Sequence, residues 1–145
     1  MKKLLVASIV LAGLTAAASA AVLPRFLLVG DISVTVTYTG KSKVDDTHEI
    51  LVFLFDQPTP TATSMPLALQ VTTKNGGTVT FKDVTTSPVY ITAVHDEASN
   101  YDGQNGPPPA GAPIGSYQKG GKAIPVTPGP DAKIKMSFDD SVRWK

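Results

Sequence analysis

The residues best suited to chemistry lie in one polar segment, residues 96–121, which reads DEASNYDGQNGPPPAGAPIGSYQKGG. Four carboxylate or amide side chains crowd into its first seven positions: Asp96, Glu97, Asn100 and Asp102. Hard cations such as calcium take about six to eight oxygen ligands, often from a compliant loop. The segment therefore predicts a calcium site at these four residues.

A second interpretation needs no metal. If Asn100 and Asp102 were the third and fifth positions of an EF-hand loop, Ala98 and Pro109 would stand where Asp and Glu are required. The segment is therefore no EF-hand, and any calcium site would be a looser one. Asp, Asn and Gly are also common turn formers, because they accept left-handed geometry and bond to their own backbone. Both interpretations stay open at the level of the sequence.

His95, next to Asp96, raises the alternative of a small hydrolase. Adjacent residues of a strand point to opposite faces of the sheet, so Asp96 cannot orient His95 as a carboxylate orients a catalytic base. No Gly-x-Ser-x-Gly motif supplies a nucleophile. The simpler expectation is a hydrogen-bonded histidine at the rim of the core, and we assign no catalytic residue. With two His and no Cys, zinc and copper sites lack ligands.

The same segment is the predicted binding surface. Tyr101 and Tyr117 add aromatic side chains to its carboxylates and amides, and Trp144 is a further aromatic candidate for stacking on a sugar. The predicted binding loop comprises Asp96, Glu97, Asn100, Tyr101, Asp102 and Tyr117. Its expected partner is an envelope protein or a carbohydrate.

Length and charge exclude several classes of protein. The chain has 145 residues, which suffice for one ordinary domain but not for a multidomain enzyme. Its formal net charge of +1 argues against binding to the phosphate backbone of a nucleic acid, which would need a basic face. The absence of cysteine excludes disulfides and thiolate zinc sites.

The first twenty residues have the pattern of a signal peptide. Met1-Lys2-Lys3 is followed by an apolar run from Leu4 to Ala18, and Ala18-Ser19-Ala20 is an A-x-A cleavage site. We expect cleavage after Ala20, a periplasmic or secreted protein, and no transmembrane segment in the mature chain. Loss of Lys2 and Lys3 would change the net charge from +1 to −1.

After a lead-in at residues 21–30, a single domain at residues 31–145 shows the period-two alternation of half-buried strands. The alternation is clearest at residues 32–38 and 132–138. Ile50–Phe55 is apolar throughout and predicts a central strand covered on both faces. Asn75-Gly76, between two alternating runs, predicts a β-hairpin. Further strands are expected at 89–95 and, at a sheet edge, near 123–126. About seven short strands without an amphipathic helix predict an antiparallel β-sandwich.

The segment Val89–Tyr117 resembles a group of small exported bacterial β-sandwich proteins of unknown function. The resemblance rests on a strand ending in Tyr90-Ile91-Thr92-Ala93-Val94-His95-Asp96-Glu97, then Asn100-x-Asp102-Gly103 and a Pro/Gly loop. These proteins are related in architecture to carboxypeptidase regulatory-like and transthyretin-like domains. The resemblance implies a seven-stranded Greek-key sandwich that serves as an accessory or recognition module. The Tyr-Arg-Gly-Ser ending of transthyretin-like hydroxyisourate hydrolases is absent, since this chain ends Val142-Arg143-Trp144-Lys145.

The combined expectation is a non-enzymatic exported β-sandwich that binds a partner at the bacterial cell envelope. The alternatives are a calcium-stabilised extracytoplasmic domain and a small hydrolase that uses His95.

Overall fold

The computed structural model describes residues 29–103 and 106–145. The predicted signal peptide and residues 21–28 of the predicted lead-in lie outside these residues. Within them the chain forms strands and no helix, which confirms the predicted all-β class. The strands are β1 (Gly30–Tyr38), β2 (Ile50–Phe55), β3 (Ala68–Thr72), β4 (Thr78–Val84), β5 (Tyr90–His95), β6 (Ile114–Ser116), β7 (Gln118–Lys119), β8 (Lys122–Ala123) and β9 (Lys133–Phe138).

Seven of these strands form two sheets. The first sheet has the order β4-β1-β9, the second has the order β3-β2-β5-β6, and β7 and β8 pair as a small separate hairpin. Strand β9 runs parallel to β1, whereas the other strand pairs of the described chain are antiparallel. The first and last strands of the fold are therefore neighbours at the centre and edge of one sheet.

One apolar core joins the two sheets. Along β1 the residues Ile32, Val34 and Val36 are buried, while the intervening Ser and Thr are half-exposed. They share a cluster with Val52 of β2 and Ile91 of β5, which belong to the second sheet. Period-two alternation thus gives each sheet one apolar face. Burial of these faces against each other is consistent with a β-sandwich.

Strand β2 is buried on both faces, as its uninterrupted apolar sequence predicts. Its even-numbered residues face the shared core. Leu51, Phe53 and Phe55 face the other way, into a second cluster with Val94 and Ala112. Because Ala112 belongs to the polar segment 96–121, part of that segment covers the outer face of the second sheet.

The predicted hairpin at Asn75-Gly76 is wrong in its strand pairing. The turn itself forms, with Gly76 at φ 76°, but β3 and β4 belong to different sheets. The cause lies in β1: the Asn75 side chain accepts a hydrogen bond from the Tyr38 N–H at 2.8 Å and donates one to the Tyr38 carbonyl at 2.7 Å. The N–H of Gly76 also donates to the Val36 carbonyl at 2.9 Å. The turn therefore docks on β1 and carries the chain from the second sheet to the first.

Candidate functional site

Asp96 anchors the predicted binding loop from inside. Its side chain is buried, with 5% of its surface exposed. The carboxylate accepts hydrogen bonds from the backbone N–H groups of Asn100 at 3.2 Å and Tyr101 at 2.9 Å. This is the local side chain-to-backbone bonding that Asp supplies in turns. Asp96 therefore fixes the course of the loop immediately after β5.

Glu97 connects the loop to the C-terminal segment. It forms an ion pair with Arg143, and its other oxygen accepts a hydrogen bond from the Ser42 hydroxyl at 3.2 Å. Arg143 also donates to the Gly111 carbonyl at 3.0 Å. The C-terminal segment adds backbone bonds, since Trp144 N–H donates to the Ala112 carbonyl at 2.9 Å. Trp144 is buried here and is not the exposed aromatic that the sequence suggests.

The outer part of the loop is exposed. Asn100 and Asp102 lie on the surface, and the Tyr101 ring packs edge-on against Phe53 with 6.1 Å between ring centroids. Burial raises the pKa of Tyr101. These three residues line a cavity of about 260 Å³ together with Gly106, Pro107 and Pro109.

The four predicted calcium ligands have different environments. Asp96 points inward to backbone donors and Glu97 points to Arg143, whereas Asn100 and Asp102 face outward. Over residues 29–103 and 106–145, no three His, Asp or Glu side chains are grouped as a metal site requires. Calcium binding by this loop stays a prediction.

His95 is fully buried, with no exposed surface. Its Nε2 lies 3.2 Å from the Lys43 carbonyl oxygen, which can only accept, so Nε2 carries the proton. Its Nδ1 is buried without a hydrogen-bond partner in the described structure. The ring stacks on Tyr38 with 4.3 Å between centroids. The hydrolase alternative needs His95 to face an open pocket, and this ring lies in the interior.

A polar cluster beside His95 was not apparent from the sequence. The Tyr38 hydroxyl donates a hydrogen bond to Asp140, whose other oxygen accepts from the Lys41 N–H at 3.0 Å. The Tyr38 hydrogen bond is the main reason why the pKa of Asp140 lies below its ordinary value, and the Lys41 N–H and Arg143 add to it. Burial and Asp140 raise the pKa of Tyr38. Since 102 residues separate the partners, no local motif could reveal this cluster.

One cavity lies between the free edges of β6 and β9, where the two sheets meet. It measures about 570 Å³, within the range of ligand sites. We call it the edge groove, and it is lined by residues 114–118 and 135–139 with Thr39, Ser141 and Val142. At Gly115 the two strands touch, because a Cβ added there would overlap the Cβ of Phe138.

Backbone groups of β9 face the edge groove. The carbonyls of Ala132 and Phe138 accept hydrogen bonds from the N–H groups of Ser33 and Thr39, so the even-numbered residues of β9 bond to β1. Successive residues of a strand direct their backbone groups to opposite edges. The N–H and C=O groups of Lys135 and Ser137 therefore point to the free edge.

Backbone groups of β6 face the same groove. The Pro113 carbonyl accepts from the His95 N–H at 3.0 Å, and the Tyr117 N–H donates to the Ile91 carbonyl at 2.9 Å, so odd-numbered residues bond to β5. The backbone of Ser116 therefore points outward. The Ile114 N–H is taken by the Val142 carbonyl at 3.0 Å, which closes one end of the groove.

Tyr117 is the one predicted binding residue that lines the edge groove. It also lines a second cavity of about 410 Å³, formed with residues 124–132 and Ile134. The two cavities thus meet at Tyr117 and follow the same edge of β9. Sequence reasoning missed the rest of this site because residues 135–142 carry no recognisable motif.

The side chains around the edge groove are suited to binding. Its titratable groups are Tyr117, Lys135 and Asp139, and no histidine lines it to activate the nearby serines. The Asp139 carboxylate accepts from the Ser141 N–H at 2.9 Å, and the hydrogen bonds from Ser141 lower its pKa. The groove thus offers backbone donors and acceptors, the cation of Lys135, the carboxylate of Asp139 and the aromatic rings of Tyr117 and Phe138.

In the part of the chain that the structure describes, no helix has the length and apolar composition needed to cross a membrane. Comparison with protein-family models, with curated proteins and with solved structures finds no match to this chain.

Proposed function

We propose that this protein is a non-enzymatic, exported binding module of the bacterial cell envelope, which holds an extended segment of a partner protein in the edge groove. The signal-peptide pattern of residues 1–20 supports export to the periplasm or beyond. We further propose that the fold is a Greek-key sandwich, similar in architecture to carboxypeptidase regulatory-like and transthyretin-like domains. The observation that carries it is the pair of strand edges with backbone groups directed into one groove.

An added strand is the ligand that such edges bind best. In strand addition, main-chain hydrogen bonds supply affinity and alternate side chains supply specificity. The outward N–H and C=O groups of Lys135 and Ser137 would form this ladder. A carbohydrate, the other expected class of partner, would need stacking surfaces, and of the two aromatic residues that line the groove, Tyr117 and Phe138, the second is buried.

Charge defines the partner further. Lys133 and Lys135 are exposed along β9. Like charges on directly opposed strands are destabilising, so these lysines oppose pairing of two β9 edges with each other. They favour a partner segment that carries Asp or Glu at alternate positions. The expected ligand is therefore an extended, acidic polypeptide segment.

The test uses a displayed random-peptide library and the mature chain, residues 21–145. We expect selected peptides to be rich in acidic residues and to bind the wild type and Ser137→Thr equally. Ser137→Pro should weaken binding by about tenfold or more, because Pro removes an outward N–H and its ring obstructs the edge. That N–H makes no bond to β1, so both variants should keep the fold, which circular dichroism checks.

Two results would contradict the proposal. One is a selection that yields no peptide binder, and the other is a peptide that binds Ser137→Pro as tightly as Ser137→Thr.

A further inference from the structure

We propose that two copies of this chain associate through β3, which lies at the edge of the second sheet opposite β6. The evidence consists of exposed apolar side chains, free backbone groups and an uncharged edge, all at this one strand. This surface is separate from the edge groove, so neither proposal depends on the other.

The two large apolar side chains of β3 face away from the shared core, whereas Ala68 packs against it. Leu69 and Val71 pair with Phe53 and Leu51, which point to the outer face of the second sheet. Val71 is 41% exposed, and Leu67 and Met65, just before the strand, are 42% and 64% exposed. Three of the five most exposed large apolar side chains of the described residues thus fall within residues 65–71, in β3 and just before it. Contiguous exposed apolar surface marks interaction sites.

Backbone groups of β3 are directed to solvent. The Glu49 carbonyl accepts from the Asp96 N–H at 2.9 Å, so odd-numbered residues of β2 bond to β5, and even-numbered ones bond to β3. Ala68, Gln70 and Thr72 lie opposite those even-numbered residues. The N–H and C=O groups of Leu69 and Val71 therefore point to the free edge.

The other sheet edges carry features that discourage self-association, and β3 lacks them. Exposed edges are usually protected by charged residues, bulges or a covering segment. Strand β4 carries Lys82 and Asp83 and has an irregular register with β1, and β9 carries two lysines. Strand β6 is covered at one end by the C-terminal segment. The sequence of β3 is ALQVT, with no charge and no proline.

A second copy fits this edge in one particular register. In an antiparallel pair centred on Gln70, Leu69 of each copy lies opposite Val71 of the other copy. A two-fold axis at Gln70 relates these two Leu69–Val71 pairs. The four outward N–H and C=O groups of Leu69 and Val71 then form four hydrogen bonds. All outer-face contacts are apolar, and no charge is buried. The dimer would contain one continuous eight-stranded sheet.

The absence of cysteine allows a direct test of this register. Two Gln70 residues would form a pair that exchanges no backbone hydrogen bonds, with Cα atoms about 4.5 Å apart, a distance that a disulfide spans. In the mature chain, Gln70→Cys should oxidise to a covalent dimer faster than Thr78→Cys, which places a thiol at an exposed position of β4. Equal rates for the two variants would overturn the register.

Sedimentation of the unmodified chain tests the association itself. We expect a concentration-dependent dimer, and Val71→Lys should raise its dissociation constant by about tenfold or more, since the change acts twice across the two-fold axis. Val29→Lys is the matched control, because Val29 is 55% exposed and directly precedes β1 of the other sheet, and it should leave the dimer unchanged. A chain that stays monomeric up to about 1 mM, or a dimer equally weakened by both variants, would overturn the proposal.

Discussion

Substitution of Gly115 by Ala tests whether the sheets approach each other as closely as the edge groove requires. A Cβ at this position would overlap the Cβ of Phe138 and lie 3.0 Å from its Cγ. These atoms are near the backbone of β9, so rotation of a flexible side chain cannot relieve the overlap. The backbone of Gly115 is outside the left-handed region, and the expected effect is therefore steric.

Two opposing effects determine the magnitude. Overpacking of a methyl group into a close contact costs about 1–3 kcal/mol. Replacement of Gly by Ala restricts the unfolded chain and returns about 0.4–1 kcal/mol. The steric effect is larger, so Gly115→Ala should lower the free energy of unfolding by about 1–2 kcal/mol. The assay is urea unfolding followed by tryptophan fluorescence, which the buried Trp144 makes possible.

Gly106→Ala is the matched control. Apart from its chain neighbours, no heavy atom of the described residues lies within 4 Å of a Cβ at this position, and its backbone is also outside the left-handed region. It should be neutral or slightly stabilising by the same unfolded-state effect. Ordinary surface substitutions change the free energy of unfolding by about 0.5 kcal/mol or less. If the free energies of unfolding of Gly115→Ala and Gly106→Ala differ by less than about 0.5 kcal/mol, the close contact of β6 and β9 is refuted.

Two further predictions concern solution conditions. If Asp96, Glu97, Asn100 and Asp102 bind calcium, millimolar calcium should raise the melting temperature of the wild type and EDTA should lower it. Asp102→Asn should abolish this response. An unchanged melting temperature of the wild type would refute the calcium site. The pKa of Tyr38 is raised above 10.0 in the folded chain. The protonated Tyr38 hydroxyl therefore contributes its full stabilisation below pH 10, and this contribution is lost as the pH rises through the pKa of the folded chain. Urea unfolding between about pH 8 and pH 11 should therefore show a smaller alkaline loss in Tyr38→Phe than in the wild type, and equal losses would contradict the assignment.

The sequence predicts individual strands well where one face is buried. Residues 50–55 form a strand with the predicted bounds. The strand predicted at residues 132–138 begins one residue later, at Lys133. The reason is physical: period two places alternate side chains on one face, and burial of that face selects the apolar ones. Such information is local to each segment.

Strand pairing depends on partners that the local pattern does not contain. Asn75-Gly76 has the composition of a hairpin turn, but Tyr38 and Val36 of β1 provide the hydrogen-bond partners that decide where it docks. The alternation of β3 likewise does not predict which of its faces points to the shared core, because the second sheet has apolar residues on both faces. The β9 edge that forms half of the groove depends on its parallel pairing with β1.

The residues that attract a chemical interpretation in the sequence have structural roles that follow from the architecture. Strand β2 is apolar on both faces, so the second sheet needs a cover on its outer side, and the loop after β5 supplies it with Ala112 and the ring of Tyr101. Without cysteine, the loop is held by this packing together with hydrogen bonds and ion pairs. Asp96 holds its start, and Glu97 joins it to Arg143. Because these side chains already have partners, binding is better sought at the strand edges, whose backbone groups are directed outward.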